Sequence, residues 1–158
     1  MGVRLTDQEI DEFLSQHPVA TLITIGNDGA PRPTPLWFAN DGPVVYFGTR
    51  ASSPKVANIR SDNRVAVQVE TGDHYLTLKA VLIWGKAYIV DDKDELEMVA
   101  RKMGEKYAHR RPPVQAFGEA TKRHYSGERV TIKVVPEKIR TWDNAKLRLK
   151  TPVEGGAE

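Results

Sequence analysis

Prolines at positions 31, 33 and 35 constrain this chain more than any other feature. Alternate residues of a β-strand direct their backbone groups to the same lateral side, so the three missing donors all fall along one edge. A strand over residues 31–38 can therefore pair fully on one side only, and a central position is excluded. Two placements remain. The strand is a sheet edge, or it lies at a split in a barrel where a flat ligand can rest against Thr34, Pro35, Leu36 and Trp37. Simple protection of an edge against aggregation accounts for the same prolines without a ligand.

The second constraint is residues 44–69. Residues 44–49 are β-branched and aromatic, and residues 64–69 alternate Val65, Val67 and Val69 with Ala66 and Gln68, so each reads as a strand. Between them Ser53 suits an N-cap, Pro54 suits the first helical position, and Val56 with Ile59 gives a short apolar stripe that Asp62 and Asn63 end. Lys55 breaks the local rule: a cation in the first turn opposes the helix dipole at a cost of about 0.3–1 kcal/mol. An anion there reverses that cost. Thr49, Ser52 and Ser53 hydroxyls, first-turn N–H groups and the charges of Arg50 and Lys55 would converge on one phosphate, with Asn58 one turn further along the same face. A plain strand–helix–strand connection with solvated basic residues is the alternative. No Walker or dinucleotide glycine fingerprint is present, so a phosphate site does not imply ATP or NAD.

The remaining chain reads as strands with two or three helices. Thr6 and Glu9 form a capping box for a helix carrying Ile10, Phe13 and Leu14 and ending near His17. Residues 19–25 are a strand, residues 26–29 a hairpin turn, and residues 40–43 a second turn. Residues 75–90 are strand-rich, with a bend or bulge expected at Gly85. Residues 91–107 form the clearest helix, acidic at its start and basic at its end. Residues 108–127, holding Arg110, Arg111, Lys122 and Arg123, read as a basic lid or as a solvated loop with a short helix. Residues 130–134 are a strand, Pro136 breaks it, and residues 138–142 resume. The expected fold class is mostly β (α+β), an antiparallel barrel with helices at its rim. The expected organisation is a single domain over residues 1–150 and a flexible tail over residues 151–158.

Composition narrows the function. The chain has 158 residues and a net charge of only +2, which gives no reason to expect nucleic acid or membrane as its main partner. With no cysteine, disulfides, thiolate metal sites and thiol nucleophiles are all excluded. The charged N-terminus and short apolar runs lead to the expectation of a soluble, cytoplasmic protein. His17, His74, His109 and His124 lack metal-site spacing, and no serine sits in a nucleophile elbow. An anion cradle with aromatics but no catalytic set of its own fits a protein whose cofactor carries the reaction.

Four segments in register, ATLITIGNDGAPRPTPLWF, DGPVVYFGTRASSPKVANIRSDNRVAV, KAVLIWGKAYIVDD and RVTIKVVPEKIRTWD, resemble the pyridoxamine 5'-phosphate oxidase-like superfamily of flavin and deazaflavin enzymes. The resemblance runs from Phe13 to Asp143 and implies a split β-barrel. It also implies that Thr49, Ser53, Lys55 and Asn58 lie at the cofactor phosphate, and that Thr34, Pro35, Leu36 and Trp37 line the ring with Arg50 nearby. A homodimer is implied, in which Trp142 or Arg140 of one subunit closes the pocket of the other. The expected activity is hydride transfer to or from a small organic substrate. The expected cofactor is flavin mononucleotide (FMN), with the deazaflavin coenzyme F420 as alternative, and a non-catalytic flavin carrier is the competing reading.

Overall fold

The computed structural model describes residues 3–147, so the tail expected over residues 151–158 lies outside the described residues. Seven strands form one antiparallel sheet: β1 (Ala20–Ile25), β2 (Pro31–Leu36), β3 (Ala39–Asp41), β4 (Val44–Arg50), β5 (Arg64–Thr71), β6 (Lys79–Ile89) and β7 (Arg129–Asp143). Their spatial order is β2-β1-β5-β6-β7-β4-β3. Because β2 and β3 follow one another in the chain yet end the strand order on opposite sides, the sheet must coil until its two edges approach. The result is a barrel split between β2 and β3. Within β2 the prolines stand opposite Ile25, Ile23 and Thr21 of β1, so this edge strand keeps its ladder on one side, as the sequence requires.

The longest strands, β6 and β7, turn the sheet. Their register shifts at Gly85, which faces Pro136 while Trp84 faces Lys138. A Cβ at Gly85 would run into the Val135 carbonyl, so the expected bulge needs a glycine. Pro136 does not break the strand as expected. β4 accompanies β7 only from Arg129 to Val134, and beyond it, among the described residues, no strand pairs with β7 on that side to miss a donor.

Four helices close the ends: α1 (Asp7–Gln16), α2 (Pro54–Ser61), α3 (Lys93–Lys106) and α4 (Glu119–Tyr125). The Thr6–Glu9 capping box is formed, and Ile10, Phe13 and Leu14 of α1 enter a core shared with Leu22, Phe47, Val67, Ile83 and Ile132. Two expectations are corrected. Residues 40–43 are not simply a turn: Asn40 and Asp41 belong to β3, and buried Asn40 donates to Asp11 Oδ1 at 2.8 Å and to the Gly42 carbonyl at 3.0 Å, holding the edge strand under α1. The segment expected as strand from residue 75 begins instead with a 3₁₀ turn, Tyr75–Thr77. Among the described residues no helix is long and apolar enough to cross a membrane.

Candidate functional site

Where β4 runs into α2, three polar side chains meet. Thr49 and Ser53 are buried with their hydroxyl oxygens 3.3 Å apart, and Lys55 Nζ lies 3.4 Å from Thr49 Oγ1. Ser53 occupies the N-cap position of α2 but its hydroxyl makes no cap bond, which corrects the expectation of an ordinary cap. The hydroxyl is turned toward Thr49 instead. The first turn of α2 contains no acid and begins with Pro54, so the positive end of its dipole faces the same place as Lys55. Burial, and then repulsion from Arg50, hold the Lys55 ammonium below the usual lysine range. Arg50 itself stands opposite Arg129 in the β4–β7 ladder. Among the described residues, none of the ion pairs involves Lys55, Arg50, Arg129 or Arg111. Cations gathered without carboxylates form an anion-ready surface.

Asn58 donates to Thr24 Oγ1 at 3.0 Å and so ties α2 to β1. Thr24 is buried, and nothing in an alternating strand sequence distinguishes it. Ser52, grouped with the other hydroxyls by sequence, is exposed. Thr24, Thr34, Lys55 and Asn58 share a cleft of about 590 Å³, at whose rim Arg32 and Asp28 form an ion pair of 2.7 Å.

The segment expected to line a ring divides by position. Thr34 faces this cleft, Pro35 is exposed, Leu36 packs against the core, and Trp37 borders a second cavity of about 650 Å³. Residues 34–37 thus bridge the two spaces over roughly 10 Å of extended chain. Trp37 is fixed by stacking on Tyr107, with ring centroids 4.3 Å apart and planes 7° from parallel, and the Arg111 guanidinium lies 5.1 Å from its ring centre. Tyr107 is in turn anchored: its hydroxyl accepts from Phe38 N at 2.9 Å and lies 2.8 Å from the carbonyls of both Phe38 and Pro18. A tyrosine at a helix end gives no sequence sign of this role.

Trp142 is not brought to the cradle within one chain. It faces Ala80 at one end of β7, whereas Arg129, beside Arg50, marks the other end. Arg140, facing Leu82, shares that far end.

The family model described as pyridoxamine 5'-phosphate oxidase matches residues 6–143. The chain belongs to this family. A solved structure with 32% identity, the conserved hypothetical protein Rv2991 from Mycobacterium tuberculosis, superposes with a TM-score of 0.77 over 98% of this chain and 95% of that one. An F420 reductase with 25% identity gives a TM-score of 0.60 over 82% and 94% of the two chains. The FAD binding protein from Mycobacterium smegmatis shares the fold, with 18% identity and a TM-score of 0.64 over 89% of this chain and 98% of the other. No curated protein matches the chain significantly. The split barrel expected from the sequence is therefore the fold of this family member.

Proposed function

We propose that this pyridoxamine 5'-phosphate oxidase family member is a flavin- or deazaflavin-dependent oxidoreductase that holds the cofactor phosphate at the junction of β4 and α2. The observation that carries the reading is the meeting of Thr49 Oγ1, Ser53 Oγ and Lys55 Nζ at a helix start left uncapped by its own serine. Both hydroxyls can donate, Lys55 and Arg50 supply charge, and the carboxylate at the cleft's rim, Asp28, is paired with Arg32, so the residues fit a phosphate. Asn58 and Thr34 border the cleft that Lys55 lines, and the chain continues through Pro35 and Leu36 to Trp37 at the second cavity, the segment against which a flat ring would lie. When bound, the cofactor supplies the hydride chemistry that these side chains lack. The chain's part is to bind, orient and exclude water, with Trp37 kept rigid by Tyr107.

FMN is placed first. Its terminal phosphate asks for the cradle alone, whereas the acidic tail of F420 needs further cations, and of those on residues 108–127 Lys122 is paired with Glu119 at 2.8 Å while Arg111 covers Trp37. The likeness to an F420 reductase keeps the deazaflavin as the alternative. A homodimer completes the proposal. The apolar surface that calls for it lies elsewhere than expected: Trp37 and Trp142 are half-buried within the chain, while Trp84, Tyr88 and Val135 are 41%, 48% and 37% exposed on β6 and β7. Arg140 and Trp142 would then reach the ring only from the partner subunit.

Parallel titrations of the apoprotein with FMN and F420 test the cradle, and reoxidation of the reduced holoprotein by candidate acceptors tests turnover. Saturable binding with acceptor-dependent reoxidation supports the proposal. Reoxidation no faster than that of free cofactor makes the protein a carrier, and failure to bind either cofactor refutes the assignment.

A further inference from the structure

The second cavity, between Trp37 and α4, is not needed by the phosphate cradle and has a chemistry of its own. Its volume of about 650 Å³ suits a small organic molecule. One wall is Trp37, held flat against Tyr107. Another is the pair Phe117 and Tyr125, whose ring centroids lie 6.4 Å apart, and Met103 adds an adaptable apolar contact. Gly48 of β4 contributes bare backbone to the lining beside the Arg129 guanidinium.

Charge is one-sided. The lining includes Arg111, Lys122 and Arg129 and no acid. Glu119 neutralises Lys122 at 2.8 Å, but among the described residues neither arginine has a carboxylate partner. Of the two hydroxyls in the lining, that of Ser126 is engaged, donating to the Arg123 carbonyl at 2.8 Å, and the other is the Tyr125 phenol. A phosphate gathers several hydroxyl and helix-start donors, as at Thr49 and Ser53, and this lining offers the Tyr125 phenol in their place. A carboxylate asks only for a guanidinium fork.

We propose that this cavity binds a flat aromatic carboxylate, lying against Phe117 and Tyr125 beside Trp37, whose faces Tyr107 and Arg111 occupy, with its charge toward Arg111 and Arg129. That the carboxylate is the enzyme's substrate rests on the oxidoreductase reading; that it binds does not. Residues 34–37 lead from the cleft of Lys55 to this cavity, and Gly48 and Arg129 adjoin Thr49 and Arg50, so such a ligand would lie next to the bound cofactor.

The test uses the full chain and two probes of equal shape, 2-naphthoate and 2-naphthylmethanol, titrated by calorimetry and by Trp fluorescence, with and without saturating FMN or F420. The expected result is at least tenfold tighter binding of the carboxylate, concurrent with cofactor. The exposed pair Arg111→Gln and Arg129→Gln, made together, should bring the carboxylate-to-alcohol ratio near one, while Phe117→Ala should weaken both probes alike. Equal affinities in the native protein, a ratio unmoved by the double substitution, or displacement of the probe by cofactor would each overturn the site. Naphthoate preference in a protein that binds neither cofactor would uphold the site and remove only its reading as a substrate pocket.

Discussion

Lys55→Met separates a binding residue from a structural one, because the two roles predict opposite signs. In the apoprotein the ammonium stands in the first turn of α2, against the dipole, near Arg50 and without a carboxylate partner among the described residues. Methionine keeps the length of the stem and removes the charge. The dipole contribution alone, about 0.3–1 kcal/mol, should then appear as added stability. For a chain of this size that is a rise in Tm of about 1–4 °C. Cofactor binding should move the other way. A charge-assisted hydrogen bond lost from a phosphate costs about 1.5–3 kcal/mol, or roughly 10- to 150-fold in Kd. The pH dependence adds a check on sign. Since burial and Arg50 lower the folded pKa of Lys55 below its unfolded value, the folded state carries its full penalty at pH values below both, and stability rises as pH climbs through the folded value toward the unfolded one, about 10.4. The variant should lose that part of the slope. Thermal melts across this range and cofactor titrations at two salt concentrations measure both effects. A less stable apoprotein with unchanged affinity would show that Lys55 packs and does not bind, and the cradle argument would fall.

Tyr107→Phe leaves the Phe38 N–H buried without the hydroxyl it donates to and should cost about 1–3 kcal/mol in urea unfolding, and a cost below about 0.5 kcal/mol would show that the hydroxyl does not pin the corner. Gly85→Ala places a methyl against the Val135 carbonyl at the bulge and should destabilise by about 2–3 kcal/mol or more, so a urea midpoint equal to that of the native protein would refute the close approach. Burial, then repulsion from Arg110, pushes Lys106 down to about 7. Because that lies below its unfolded value, stability should climb between about pH 7 and pH 10 and be flatter in Lys106→Met, and the same slope in both proteins would contradict it.

The legible parts of the sequence were those in which a residue type removes an option. Proline at three alternate positions removes donors from one edge, and the strand lies at the edge. Gly85 marked the bulge because nothing larger passes the Val135 carbonyl. Lys55 was conspicuous as a cation where helices prefer anions, and it does lie beside Thr49. Illegible parts depend on tertiary neighbours. Thr24 became part of the cleft only because Asn58 reaches across from α2. Pro136 looked like a break because its sequence does not reveal that β4 has already ended. Ser53 shows the limit most plainly: its position at the cap could be read, but not that its hydroxyl would turn away from the helix toward Thr49.

The proline-bearing strand and the strand–helix junction of Lys55 are joined by the fold. A barrel seals when its first and last strands pair, and here those strands are β2 and β3. β2 cannot extend a ladder outward because its free edge carries prolines, and β3 has only three residues to offer. The split therefore stays open for a reason written in covalent structure rather than in side-chain packing. Tyr107 then fixes its corner by binding the backbone of Phe38, just past the turn from β2, so the opening is rigid as well as unsealed. Along that opening lie Thr34 at the cleft of Lys55 and Trp37 at the cavity of Arg111. The same prolines that deny the strand a partner leave a fixed, unpaired edge between two cationic spaces, which is the condition a flat anionic ligand needs.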